Sequence, residues 1–267
     1  MSGVARGGAI ALALLTAGLT ATPATAETLG LRPLGGDYES ARTVGNGHYV
    51  IEGGVWAPVF ADPPETTATQ RDFDVLANWR LLPAWPEFRG IYGLGDGNEV
   101  VAHIGPIVGG GYRKHFLRAE APWGGEYLQG LIQLGGGFHL ASRLPMGYIR
   151  FPGIYEVGAF TFHVAGGGYY LFNQQPMVDV NIGTEYAVWN GLQLGVLAHL
   201  RMDSKKITPM DGVWSFGGGA RYRIGERFTV QVDVVQDAGP PLLDEARPQP
   251  MIEFPHQSVR ASAAYYF

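Results

Sequence analysis

The sequence has no cysteine, which excludes a disulfide framework, a CxxC redox motif and any cysteine-ligated zinc site. Charge is sparse as well: Asp, Glu, Lys and Arg make up 16% of the 267 residues, against 46% hydrophobic, so the chain is not of the disordered class. The net charge of −5 comes without a basic stripe, which argues against nucleic acid as a partner. Long apolar runs are missing too. Beyond residue 26 no uninterrupted stretch approaches the roughly 18 apolar residues of a membrane helix. HExxH, GxSxG and P-loop patterns are absent. The seven histidines stand singly, without an HxH pair or a paired carboxylate set, so neither a metal nor another cofactor is expected.

What is present begins with an address. Arg6 precedes the apolar run from Ala9 to Leu15, and Ala24 and Ala26 form an A-x-A cleavage site before Glu27. Residues 1–26 therefore read as a cleaved secretory signal peptide, the apolar stretch being too short for the roughly 20 residues that span a bilayer. An exported, apolar chain without a membrane helix has one structural outlet. It is a β-barrel that turns every second residue toward lipid.

The alternation supports it. From Ser258 to Phe267, the residues Val259, Ala261, Ala263, Tyr265 and Phe267 oppose Ser258, Arg260, Ser262, Ala264 and Tyr266. Phe228, Val230, Val232 and Val234 oppose Thr229, Gln231 and Asp233, and Gly225-Glu226 joins this run to a strand from Trp214 to Ile224. Val178 to Val188 alternates against Asp179, Asn181 and Glu185, then Asn190-Gly191 turns the chain into Leu192 to Met202, with Gln193, His199 and Arg201 on the polar side. Asn-Gly between two alternating runs is a strong hairpin signal. Further runs fall near His48 to Pro58, Glu87 to Leu94, Asn98 to Ile107, Gly110 to Arg118, Tyr127 to His139, Gly153 to His163 and Gly168 to Phe172, with turns at Gly95-Asp96-Gly97-Asn98 and Gly166-Gly167. Arg71 to Leu81 alternates loosely as an extension of the second strand.

The expected architecture is all-β: a single antiparallel transmembrane β-barrel of about twelve strands, with ten to fourteen compatible with the loop parity. Residues 1–26 form the signal peptide, 27–46 a periplasmic N-terminal segment and 47–267 the barrel. Aromatic strand ends Trp56, Tyr92, Trp189, Trp214, Tyr265 and Phe267 suit interfacial girdles. The 40 glycines, about twice the usual share, suit a sheet that must coil and close.

The signal peptide, the alternating strands and a last strand ending on Phe267 together resemble a Gram-negative outer-membrane β-barrel. That resemblance implies location in the cell outer membrane, contact with outer-membrane lipid, and handling by periplasmic chaperones and the barrel-assembly machinery. Tyr265 and Phe267 occupy the positions of its C-terminal assembly signal. The first strand, from Ala41 to Glu52, also resembles the opening of small barrels grouped with transporters of the phenol-degradation (MetA pathway) type, which implies solute transport.

With the apolar faces toward lipid, the lumen is lined by Glu52, Arg89, Asp179, Glu185, His199, Arg201, Arg221, Arg223, Asp233 and Arg260, the candidates for a solute path, together with Glu99, His103, Gln129, Gln133, Asn181, Gln193 and Gln231. Opposed charge across a narrow lumen orients polar solutes; the competing reading is that these residues pair and fill the bore. The leading expectation is a narrow, porin-like pore or transporter for a small polar or aromatic solute. A structural or adhesive barrel acting through Ala61 to Trp79 and the proline-rich Ala238 to His256 is the alternative. A lipid-modifying enzyme using His139 and Ser142 has the least support, because nothing at a suitable spacing orients the histidine.

Overall fold

The computed structural model describes residues 32–34, 40–59, 85–105, 107–120, 126–139, 144–172, 176–189, 191–204, 213–237 and 257–267. The signal peptide, Arg71 to Leu81, Ser142 and both long loops lie outside them, as does the side chain of His139.

Twelve strands close into one antiparallel barrel: β1 (Tyr49–Val59), β2 (Trp85–Gly95), β3 (Asn98–Ile104), β4 (Ile107–Glu120), β5 (Glu126–His139), β6 (Leu144–Val157), β7 (Phe160–Leu171), β8 (Met177–Trp189), β9 (Leu192–Asp203), β10 (Val213–Ile224), β11 (Phe228–Asp237) and β12 (Gln257–Tyr266). Each pairs with its neighbours in sequence, and β1 meets β12 from Val50↔Tyr266 to Val59↔Gln257. The seam is locked at its end. Phe267 N–H donates to the Tyr49 carbonyl at 3.0 Å, and the two rings stack with centroids 4.3 Å apart.

Burial is inverted relative to a soluble β-protein. Ile51, Phe88, Ile104, Phe116, Ile182, Val196 and Val232 are exposed, while Glu52, Arg89, Glu99, Arg113, Asp179, Glu185 and Asp233 are buried. A continuous belt of exposed apolar side chains is tolerable only against hydrocarbon. The barrel's beginning at Tyr49 and its end at Phe267 share one rim with the tight turns. At β2–β3, Asp96 and Gly97 both take positive φ (53° and 73°), the type I′ geometry that matches strand twist, and Gly191 and Gly225 also take positive φ at their turns.

One pair of strands differs from the sequence expectation. The strand expected over Gly153 to His163 is two: β6 ends at Val157, the chain turns at Gly158, and Gly166-Gly167 lies within β7 rather than at a turn. The alternation of β6 is hidden because four of its inward positions, Met146, Tyr148, Pro152 and Ile154, are apolar or proline, and only Arg150 and Glu156 mark that face as polar. Pro152 has no N–H to give, and the β5–β6 ladder lapses beside it between Gly130↔Gly153 and Gln133↔Arg150 while its register stays the same.

The N-terminal segment corrects a second expectation. Residues 32–34 and 40–44, assigned from sequence to a periplasmic tail, lie inside the barrel, where Leu34 is 1% and Ala41 0% exposed. A twelve-strand bore is wider than its own side chains fill, and the chain fills part of it with itself. Val44 packs with Val50, Ile91, Val101 and Ala264, and Ala41 with Leu131 and Ile154. All of those wall residues hold inward positions where the pattern predicts polarity. At Gly93 the segment touches bare backbone: a Cβ there would lie 1.7 Å from the Gly45 carbonyl oxygen.

Gly93→Ala is therefore expected to push the Gly45 region off the wall and loosen the bond from Gly47 N–H to the Gly93 carbonyl (2.9 Å) and that from Gly93 N–H to the His48 carbonyl (3.0 Å). Two such bonds are worth about 1–3 kcal/mol, so tryptic cleavage after Arg42 should accelerate about tenfold or more. The barrel should keep its heat-modifiable band on a gel. Unchanged cleavage rates would show that the segment is not held at Gly93.

Candidate functional site

The lumen wall is organised by cross-strand charge pairs. Glu52 and Arg89 sit directly opposite on β1 and β2 with Arg89 Nη2 2.7 Å from Glu52 Oε2, and Glu99 and Arg113 repeat the arrangement on β3 and β4 at 3.3 Å. Residues directly opposite in register are the close pairs of an antiparallel sheet. Further round, Glu185 on β8 receives Arg221 Nη1 from β10 at 3.1 Å and His163 Nε2 from β7 at 3.3 Å. Gln231 on β11 accepts from Arg221 Nε at 2.9 Å and donates to Asp233 at 2.6 Å. Asp179 lies 3.8 Å from both Arg150 Nε and His199 Nε2, and Arg260 Nε lies 3.4 Å from Glu87. The register places Arg201 opposite Asp179 and Arg260 opposite Asp233.

The inner segment joins this network at successive points. Leu34 N–H donates to Glu185 Oε1 at 2.8 Å, and the Arg32 carbonyl accepts from Arg221. Arg32 itself reaches Glu87 at 3.1 Å. Arg113 donates to the carbonyls of Ser40 and Arg42, Val44 N–H donates to Glu99, and the Arg42 guanidinium pairs with Glu156 and Thr161. The segment thus meets β3, β4, β6, β7, β8 and β10 through ionised groups, which make the stronger class of hydrogen bond. At Gly195 on β9 a Cβ would come within 2.9 Å of the Leu34 side chain, so the missing side chain makes the seat.

Of the solute-path candidates, Glu52, Arg89, Asp179, Glu185, His199, Arg201, Arg221, Asp233 and Arg260 are buried on the inward face, and Arg223 lies at the short-turn rim, donating to the Glu226 carbonyl at 2.8 Å. Their charge is matched locally along the wall rather than opposed across the bore. The sequence reading did not include Glu87, Arg113, His115, Arg118, Arg150, Glu156 or His163 in the lining. Two of the seven follow simple parity within their own strands: Arg113 shares a face with His115 on β4, and His163 with Thr161 on β7. Trp56 shares the inward parity of Val50 and Glu52 and does not belong to a lipid-facing girdle. Tyr265 faces outward and meets Phe267 edge-on at 4.6 Å.

Among the described residues no group of three or more His, Asp or Glu is placed to hold a metal ion. Paired guanidinium and carboxylate groups around a bore can orient polar solutes and exclude mismatched ones.

No family model matches the sequence, and no curated protein does either, so the likeness of the opening strand to phenol-degradation barrels rests on residues 41–52 alone. Solved structures do resemble the fold. An outer membrane channel from Pseudomonas putida F1 superposes with a TM-score of 0.50 at 9% identity, over 90% of this chain and 98% of that one. The chain has the fold of Gram-negative outer-membrane β-barrel channels. A KdgM porin aligns over 82% of this chain and 99% of its own, at 8% identity and a TM-score of 0.49.

Glu185 is the residue on which segment and wall converge. Glu185→Ala should leave Arg221 buried without its carboxylate and release Leu34, lowering stability by about 3–5 kcal/mol. Urea unfolding in lipid vesicles, followed by tryptophan fluorescence, measures it. Adding Arg221→Met to the same chain should recover part of the loss; a single variant as stable as the parent would show that the pair contributes nothing.

Proposed function

We infer that the protein is an outer-membrane channel for small polar or aromatic solutes, with a narrow mixed-charge path limited by its own N-terminal segment. The observation that carries this reading is the way the segment is held. Its contacts with the bore are mainly hydrogen bonds and ion pairs to Glu185, Arg221, Glu99, Arg113 and Glu156, with Leu34, Ala41 and Val44 as small apolar anchors. Such contacts exchange with water and with a polar solute. A purely structural plug is better served by a continuous apolar interface, since buried ion pairs add little net stability over apolar packing.

On this reading the polar residues of the lumen, from Glu52 and Arg89 to Asp233 and Arg260, line the path. Residues 1–26 are removed on export, Tyr265 and Phe267 are read by the assembly machinery after chaperoned passage through the periplasm, and the exposed apolar belt then meets outer-membrane lipid.

Planar-bilayer recordings test it. The mature protein should give small steps, and a variant lacking residues 27–43 should give steps several times larger in the same salt. Absence of conductance above background in both, across several salts, would remove the channel reading.

A further inference from the structure

The charged wall groups that hold the inner segment nearly all hold one another as well. Glu99, which accepts from Val44 N–H, and Arg113, which donates to the carbonyls of Ser40 and Arg42, form an ion pair within the wall at 3.3 Å. Glu185, which accepts from Leu34 N–H, keeps Arg221 at 3.1 Å and His163 at 3.3 Å. Arg221, which donates to the Arg32 carbonyl, also donates to Gln231 at 2.9 Å and Gln193 at 3.3 Å. Glu87, which meets Arg32, has Arg260 at 3.4 Å. Glu156 is the exception. Among the described residues its carboxylate meets only Arg42, but it stands at the short-turn rim with 30% of its side chain exposed, so water can replace that guanidinium.

This double pairing has an energetic consequence. Taking a partner from a buried charge is costly because it leaves the charge alone. Withdrawing the segment leaves none of these buried wall charges alone, and the backbone groups that it frees can bond to water. What it gives up is the burial of Leu34, Ala41 and Val44 against the wall.

The chain also has a place to turn. Between the segment and β1, Gly45 and Gly47 take φ of 92° and 74°, and His48 N–H closes the turn on the Gly45 carbonyl at 3.4 Å. From Gly47 onward the backbone is tied to Gly93. Before Gly45 there is no such ladder: residues 32–34 and 40–44 belong to no strand. A few residues at the end of an element suffice to absorb the dihedral change of a hinge.

We propose that the inner segment is a reversible gate, which undocks from the wall and swings toward the short-turn rim about Gly45 and Gly47 while the twelve strands stay closed. This deepens the channel reading, on which its purpose rests, by making the narrow path switchable. The movement itself is measurable on protein that conducts nothing.

Because the chain has no cysteine, one introduced thiol reports on one place. Ala41→Cys puts it where the docked segment is 0% exposed, out of reach of a maleimide carrying a long polyethylene glycol chain. The refolded mature variant in detergent should nevertheless be modified to completion while keeping its heat-modifiable band. It should react about tenfold or more faster than Ala165→Cys, a buried wall position packed on Leu197. Adding Arg42→Gln should raise the rate about threefold by removing the rim ion pair. A second arm ties the segment down. A Cβ at Gly195 falls 2.9 Å from the Leu34 Cβ, close to the roughly 3.5–4.5 Å of a disulfide, so Leu34→Cys with Gly195→Cys should cross-link after a small shift. In planar bilayers the oxidised protein should give small steps only, and reductant should restore excursions to the step size of the variant lacking residues 27–43. An Ala41→Cys protein that stays unmodified or reacts no faster than Ala165→Cys would overturn the gate, as would identical steps before and after reduction. Labelling without conductance would remove the channel and keep the moving segment; conductance with an unlabelled Ala41→Cys protein would do the reverse.

Discussion

In hydrocarbon a strand cannot leave its backbone N–H and C=O groups unpaired, so a sheet there must close on itself. The β1–β12 seam is where this chain meets that demand, from Val50↔Tyr266 along to Val59↔Gln257. The end of the seam carries extra contacts: Phe267 N–H bonds to the Tyr49 carbonyl, the rings stack, and His48 Nδ1 lies 3.0 Å from the Phe267 carbonyl. Closure at twelve strands then fixes the bore, and the bore sets the problem that the rest of the sequence solves. Eight strands leave an interior that wall side chains can fill; twelve do not.

Two devices occupy the extra space. One is aromatic cover over glycine, where Tyr148 lies along the inner wall so closely that a Cβ at Gly135 would be 2.3 Å from its ring. The other is the N-terminal segment, which crosses from the Gly93 wall to Glu185 and on to Arg221. Both depend on glycine for close approach, which gives part of the glycine excess a mechanical meaning. The same residues that would weaken a soluble sheet allow a ring or a second backbone to lie flat against this one.

The barrel itself was legible because its last five strands alternate cleanly and their turns carry Asn190-Gly191 and Gly225-Glu226. β6 was not, since Met146, Tyr148 and Ile154 dilute the polar signal of Arg150 and Glu156 on its inner face and Pro152 reads as a breaker. The segment inside the lumen left a subtler trace. Val50, Ile91, Val101, Leu131 and Ile154 are apolar at positions whose parity points inward, and they mark where Val44 and Ala41 dock. Inward apolar residues in a barrel with a polar lumen ask for an apolar partner, and the chain's own N-terminus is the nearest supply. Arg118 could not be placed from sequence at all, because a one-residue bulge reverses the parity on which the placement depends.

The charge pattern of the lumen follows from register as much as from solute. A strand apolar on both faces could slip by one residue with little penalty, whereas a strand with Glu52, Glu99 or Asp233 on one face would then present a charge to lipid. Paired inward charges therefore specify the fold whatever passes through it, and they need a partner on the next strand to avoid burial alone. By that logic the answered arginines belong to the wall. Arg118 stands apart because simple alternation does not place it: a one-residue bulge between His115 and Leu117 sets it opposite Gln129 at the rim, where it is exposed and bonds the neutral oxygens of Tyr127 and Thr43.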